Sequence, residues 1–128
     1  AGPYRPDGQR PWRRGGAPLL ELPVGRLGPL PLTGSLLALA GPRAAAGLGR
    51  LAARGGWVQL ELHGVDLLDI AGDRLDPALG VQPDLRIPWP RKAEAVRRFC
   101  SALIDAGRRP EPLDSLAARV ADAGGGTG

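Results

Sequence analysis

Hydrophobic and polar residues alternate most clearly at residues 57–64, WVQLELHG. Valine and leucine fall on one face of this segment, and Gln59, Glu61 and His63 fall on the other, which is the period of two that a half-buried strand shows. The short apolar segment LLELPV, at residues 19–24, predicts an earlier strand that is buried on both faces. The pattern therefore predicts two strands, and the later one ends in the only histidine of the chain.

Leucine and alanine recur at helical spacing in two longer segments. Residues 35–56 predict one helical turn, a break at Gly41 and Pro42, and then a helix of roughly ten residues that ends in paired glycines. Residues 91–107 predict the clearest helix, which ends at Gly107. Its buried face is expected to hold five side chains: Val96, Phe99, Cys100, Leu103 and Ile104.

Turn-forming residues separate these elements. Proline and glycine are frequent in residues 1–18 and 25–34, and a long connection with five aspartates covers 64–90. A last short helix is predicted near residues 113–120, and residues 122–128 are predicted to be a disordered tail. The order strand, helix, strand, helix, helix predicts an α/β fold in one domain at 1–121. Two strands alone do not form a self-sufficient sheet, so we expect partner strands from outside this sequence, and exposed strand edges without them.

Composition narrows the classes of protein. Glycine and proline occupy 20 and 14 of the 128 positions, which predicts a thin core and many loops. The net charge is +4, but nearly all basic residues are arginine in an alanine-rich and glycine-rich chain, so the charge is weak support for a nucleic-acid partner. One cysteine excludes an internal disulfide, and no apolar run is long enough to span a membrane. The chain has no methionine and starts at Ala1, so we expect a fragment or a processed chain, and its localisation stays open.

A lone histidine just past a strand is a candidate functional residue. His63 is either a catalytic group that the strand positions or a structural hydrogen-bond partner. Asp66 and Asp69 follow it three residues apart, which would put both carboxylates on one face of a helical turn. They either orient the imidazole or cap the next turn. Cys100, on the buried face of the clearest helix, is expected to be inert.

Four stretches together resemble one known family. LELHGVDLLD at 60–69, QPDLRIPWPRK at 82–92, the helix that follows, and PEPLDSLAARVA at 110–121 resemble the C-terminal half of polysaccharide deacetylases, the NodB-homology family of carbohydrate esterases. AGPYRP, at residues 1–6, resembles the end of the family's Arg-x-x-Pro-Tyr motif. The resemblance covers most of the chain, and the histidine motif with its GVDLLD extension is its most specific part.

This resemblance implies a fold and a reaction. The family fold is a distorted parallel β/α barrel, of which this chain would be the C-terminal part, and the reaction is metal-assisted hydrolysis of an N-acetyl group on a sugar. By the resemblance, His63 is the general acid that protonates the leaving amine. The backbone N–H of Tyr4 would be the oxyanion donor, and Leu60 and Leu62 would form the wall around the acetyl methyl group. Arg5 would line the groove.

The resemblance also implies a divalent metal, zinc or similar, and a carbohydrate partner that carries N-acetyl groups. The family's metal-binding motifs precede the Pro-Tyr motif, where this chain begins, so we expect no metal site in this chain and no activity from the chain alone. A vestigial deacetylase that only binds sugar is one alternative.

A non-catalytic module that binds nucleic acid or an acidic polymer is another alternative, although we expect no nucleic acid. The arginines that would form such a module surround Trp12: Arg5, Arg10, Arg13 and Arg14.

Overall fold

A computed structural model of the chain describes residues 2–124. Within these residues, the chain forms a small α/β structure with three α-helices and one two-stranded sheet. It divides into two compact units, Val24–Arg108 and the described parts of Ala1–Pro23 and Arg109–Gly128. The α/β class predicted from the sequence is therefore confirmed.

A tight antiparallel hairpin lies at the start of the larger unit. Strand β1 (Arg26–Leu27) pairs with strand β2 (Leu30–Pro31), with Arg26 opposite Pro31. Gly28 takes the first loop position with φ 59°, a left-handed conformation that glycine adopts without a Cβ penalty. The predicted turn-rich region is thus a hairpin with a two-residue loop.

At the end of the segment 57–61, one residue pairs in parallel with the backbone that follows this hairpin. Glu61 forms a parallel bridge with Thr33. Its N–H donates to the Leu32 carbonyl at 3.0 Å, and its carbonyl accepts the Gly34 N–H at 2.9 Å. The strand predicted for this segment is reduced to one bridged position, because the neighbouring backbone is folded into the hairpin and offers no longer ladder.

The prediction of a buried strand at residues 19–24 is wrong. In the smaller unit, Glu21 forms an isolated antiparallel bridge with Tyr4, and Leu19 is exposed. Pro23 closes the segment, and a proline has no N–H to continue a ladder. An apolar run of this length does not distinguish a buried strand from an apolar loop.

Helix α1 (Gly34–Ala52) consists of two helical halves that meet at a kink. Thr33 caps its start, because its Oγ1 accepts the Leu36 N–H at 3.2 Å. Gly41 takes φ 77° and ψ 169°, and Pro42 follows it, so the helical hydrogen bonding is interrupted there. The predicted break after a helical turn is confirmed.

Helix α2 (Trp89–Asp105) packs against α1, and Phe99 is completely buried between them. Its buried side chains are Lys92, Ala95, Phe99 and Ala102. Three members of the predicted apolar face are partly buried: Val96, Cys100 and Leu103. Ile104 is 57% exposed, so its predicted burial is wrong; the helix turns its small residues toward α1 instead.

The end of α2 follows its glycine signal. Gly107 has φ 81°, and its N–H donates to the Ile104 carbonyl while the Arg108 N–H donates to the Leu103 carbonyl. These two bonds form a Schellman motif, which satisfies carbonyls that the helix leaves without partners. The predicted stop at Gly107 is confirmed.

Irregular structure and one further helix complete the described chain. The long connection contains three short 3₁₀ turns, at Gly64–Leu67, Pro77–Val81 and Pro83–Arg86. Helix α3 (Leu113–Gly124) continues through the predicted boundary between residues 121 and 122. Residues 125–128 of the predicted tail lie outside the described residues. No helix in the described part of the chain has the length and apolar character to cross a membrane.

Candidate functional site

His63 follows Glu61, the residue that pairs in parallel, with Leu62 between them, and the chain then enters the turn Gly64–Leu67. Its backbone N–H donates to Asp66 Oδ2 at 2.6 Å, and the Asp66 N–H donates back to the His63 carbonyl at 3.0 Å. These reciprocal bonds fix the backbone on both sides of the turn. The side chain of His63 is 65% exposed, so the imidazole is held at its base and open to solvent at its tip.

Two carboxylates flank the imidazole, one at each ring nitrogen. Nδ1 lies 3.7 Å from Asp66 Oδ2, and Nε2 lies 3.8 Å from Glu61 Oε1. The Asp66 side chain is 3% exposed and that of Glu61 is 42% exposed. Glu61 has no role in the sequence predictions, although the period of two places it on the same face as His63.

Asp66 is held by groups that are distant in the sequence. Ser35 Oγ lies 3.2 Å from Asp66 Oδ1 and also 3.2 Å from Asp84 Oδ2. Gly34 packs against the Asp66 carboxyl group so closely that a Cβ at that position would overlap it. Ser35 and Asp84 were missed by sequence reasoning, because they lie 31 positions before Asp66 and 18 after it, and no local pattern links them to it.

Asp69 caps a turn. This is one of the two roles predicted for it, the other being to orient the imidazole. Its Oδ1 accepts the Gly72 N–H at 2.6 Å, and its Oδ2 accepts the Trp89 N–H at 2.7 Å. These hydrogen bonds, to Gly72 and then to Trp89, hold the pKa of Asp69 below its ordinary value. Asp69 therefore closes the next turn and caps the start of α2, whereas Asp66 both caps a turn and faces the imidazole.

Lys92, the only lysine of the chain, lies beside this cap and is 1% exposed. Its Nζ donates to the Leu68 carbonyl, and its charge acts on the Asp69 carboxylate. A lysine is rarely buried without such partners. Its position indicates a structural role, because it joins the first turn of α2 to the connection that follows His63.

Leu60 and Leu62 differ in their surroundings. Leu60 packs against the buried cluster between α1 and α2. Leu62 is 46% exposed and adjoins His63 in the chain. Of the two predicted wall residues, Leu62 is thus the one whose side chain is open to a ligand.

Tyr4 and Arg5 belong to the smaller unit, whereas His63 belongs to the larger one. The Tyr4 N–H donates to the Glu21 carbonyl at 3.1 Å. This bond occupies the N–H that the resemblance assigns to an oxyanion hole. The Arg5 guanidinium donates to the Pro18 carbonyl at 2.8 Å and so stabilises the loop in which it lies.

The other arginines near Trp12 are not all free to bind a ligand. Arg14 lies over the ring of Tyr4, with 5.5 Å between its guanidinium carbon and the ring centroid. Arg10 and Arg13 are exposed, and Trp12 is 74% exposed. At least two of the four arginines, Arg5 and Arg14, therefore contact their own unit.

The described residues do not fit the divalent metal that the resemblance implies. A protein metal site of the zinc type needs three or four nitrogen, sulfur or oxygen ligands around one point. No group of three or more His, Cys, Asp or Glu side chains in residues 2–124 is arranged to hold a metal ion. Oδ2 of Asp66 and both side-chain oxygens of Asp69 already accept hydrogen bonds from backbone N–H groups.

Comparison with known proteins finds no match: no protein-family model, no curated protein and no solved structure matches this chain.

Proposed function

We propose that this chain supplies the acid side of a carbohydrate N-deacetylase, in which His63 protonates the leaving amine. The observation that carries the proposal is the imidazole itself, which is exposed just past a parallel bridge at Glu61 and has a buried carboxylate near Nδ1. In α/β enzymes, the groups that follow the carboxyl ends of parallel strands face the substrate. The resemblance supplies the substrate class, a sugar that carries N-acetyl groups.

The chemistry needs a proton donor at this position. When the tetrahedral intermediate of amide hydrolysis collapses, the leaving nitrogen must be protonated, because an amide anion is a poor leaving group. Nε2 of His63 is the ring nitrogen away from the buried Asp66 and is the atom that would deliver this proton. The exposed side chain of Leu62 provides apolar surface for the acetyl methyl group.

Part of the reaction is not assigned to the described residues. The resemblance implies that a divalent metal, zinc or similar, activates water, and we expect its ligands on sequence outside residues 2–124. Thr33 and Glu61 form one parallel bridge, and α1 connects them along the chain. This order supports the barrel part of the proposal, since the repeating unit of a β/α barrel is a helix that connects two parallel strands.

Sugar binding at His63 is the direct test. The full chain is titrated with tri-N-acetylchitotriose and, in parallel, with the glucosamine trimer that lacks the acetyl groups. Since the chain has one histidine, its imidazole C–H resonances report this site alone. We expect them to shift with the acetylated trimer and not with the deacetylated one. No shift at millimolar sugar would refute the proposal.

Two leucine variants test whether the sugar binds beside His63. Leu62 and Leu67 are similarly exposed, and only Leu62 is proposed to contact the acetyl group. Leu62→Ala is expected to weaken binding of the acetylated trimer, and Leu67→Ala to leave it unchanged. Equal loss of binding in both variants would place the sugar elsewhere.

The proposed metal-dependent reaction is tested separately from sugar binding. We expect the gene to encode, ahead of Ala1 and in the same frame, a strand that ends in paired aspartates and then a His-x-x-x-His segment. With that sequence joined to the chain, His63→Ala is expected to lower acetate release by about 10²- to 10⁴-fold, the usual contribution of a general acid. If the frame lacks those ligands but the sugar titration succeeds, the chain is a sugar-binding vestigial deacetylase.

A further inference from the structure

We infer that Asp66 is the positioning residue for His63: it holds one proton on Nδ1, so that the doubly protonated ring gives up its other proton, from Nε2, to the leaving amine and remains as the neutral Nδ1–H ring. The catalytic meaning of this inference depends on the proposed function, but the arrangement of the two side chains does not. A carboxylate that holds an imidazole in one tautomer is how acid–base histidines are oriented in enzymes.

The distance between the two groups is suited to this role. Asp66 Oδ2 accepts the backbone N–H of His63 at 2.6 Å and lies 3.7 Å from Nδ1 of the same residue. The imidazole is mostly exposed, so little packing opposes a rotation that shortens this separation. Such contacts are commonly long in a ligand-free protein and tighten when substrate binds.

Asp66 is also the more rigid of the two neighbouring carboxylates. Its side chain is 3% exposed, its Oδ1 lies within hydrogen-bond distance of Ser35 Oγ, and Gly34 leaves no space on its other side. The carboxylate therefore has one position, set by the start of α1. A hydrogen bond to a fixed, buried acceptor costs little further ordering of the acceptor.

Glu61 competes for the proton from the opposite side of the ring. It faces Nε2 at 3.8 Å and favours the opposite tautomer, in which the proton is on Nε2. Glu61 is substantially exposed, so water screens its charge, whereas the interaction with buried Asp66 acts through a medium of lower dielectric constant. We therefore expect the tautomer with the proton on Nδ1 to predominate.

The test is a direct measurement of the tautomer in the full chain. In a ¹⁵N-labelled sample, measured at a pH beyond which the ring nitrogen shifts no longer change, long-range proton–nitrogen correlation distinguishes the protonated ring nitrogen from the other one. The chain has one histidine, so a single pair of nitrogen signals is expected and no assignment between residues is needed. We expect a majority of the proton on Nδ1 in the wild type.

Three variants then identify the cause. Asp66→Asn removes the charge with little change in shape and is expected to make the Nε2–H tautomer the majority. Asp69→Asn is the matched control, because Asp69 is also a buried cap whose oxygens are taken by other backbone groups. It is expected to retain the Nδ1–H majority, as is Glu61→Gln.

The outcomes separate this inference from the proposed function. A wild-type majority with the proton on Nε2 overturns the inference, and this measurement needs no variant to fold. An unchanged tautomer in Asp66→Asn overturns it as well, as does a reversal in Asp69→Asn. Sugar binding and acetate release play no part in the measurement. A failed sugar titration would therefore refute the proposed function while leaving the role of Asp66 intact.

Discussion

Gly49 is the position where replacement by alanine is expected to destabilise the larger unit, although alanine is the better helix former. A Cβ built on Gly49 would lie 2.6 Å from the Phe99 carbonyl oxygen and 2.9 Å from the Ala102 Cβ. The Phe99 oxygen belongs to the backbone of α2 and cannot rotate away as a side-chain atom would. Gly49→Ala must therefore push α2 away from α1 along the buried face that the two helices share.

The size of the effect follows from two opposing terms. In a helix interior, alanine is favoured over glycine by about 1 kcal/mol. Overpacking a filled contact typically costs about 1–3 kcal/mol, and the upper part of that range applies because one of the two atoms is backbone. We expect the free energy of unfolding of Gly49→Ala to fall by about 1–2 kcal/mol relative to wild type.

Gly47→Ala is the matched control in the same helix. A Cβ at Gly47 would meet nothing within 4 Å, and the residue is exposed. The remaining contribution is the smaller loss of backbone entropy on folding that alanine has relative to glycine. This variant is therefore expected to be more stable than wild type by about 0.5–1 kcal/mol. Urea unfolding followed by far-ultraviolet circular dichroism gives both values. If Gly49→Ala proves as stable as Gly47→Ala, the close approach of α1 and α2 is incorrect.

Three further variants test single contacts. Thr33→Ala is expected to lower the free energy of unfolding by about 1 kcal/mol in urea, because it removes the cap of α1, and Thr33→Ser should restore most of it. The depressed pKa of Asp69 means that its contribution to stability is complete above its ordinary value of 3.8 and is lost as the pH falls through the lowered pKa. Asp69→Asn should therefore weaken the acid dependence of unfolding below that value, and an unchanged dependence would contradict the assigned hydrogen bonds. Burial raises the pKa of the Cys100 thiol above 9.0, so a thiol reagent should react more slowly with the folded chain than with the urea-unfolded chain at the same pH; equal rates would show that Cys100 is accessible.

Local sequence signals predicted the elements whose stability depends on nearby residues. The break in α1 was predictable because Gly41 and Pro42 act within one helical turn. The stop of α2 was predictable for the same reason, since Gly107 supplies the positive φ that a helix C-terminus needs. The Asp66 cap was also within reach, because it lies three residues from His63.

Local sequence signals did not reveal which surfaces the predicted strands and helices pack against. The alternation at 57–61 predicts a strand, but the length of the ladder depends on its neighbour, and that neighbour folds into a hairpin. The apolar segment at 19–24 has the composition of a buried strand, yet Leu19 lies exposed, because burial depends on whether another surface covers it. The same limit explains Ile104, which has helical spacing but points away from α1.

By itself, then, the sequence determined the break in α1, the glycine stop of α2, and that a lone histidine follows an alternating segment. Only the tertiary structure decided the surroundings of that histidine. Ser35 reaches Asp66 because the start of α1 lies beside the turn that follows His63, and Lys92 is buried because α2 packs over the same connection. Helix signals arise from contacts within a few residues, whereas the position of Asp66 relative to the imidazole depends on how separate segments pack together.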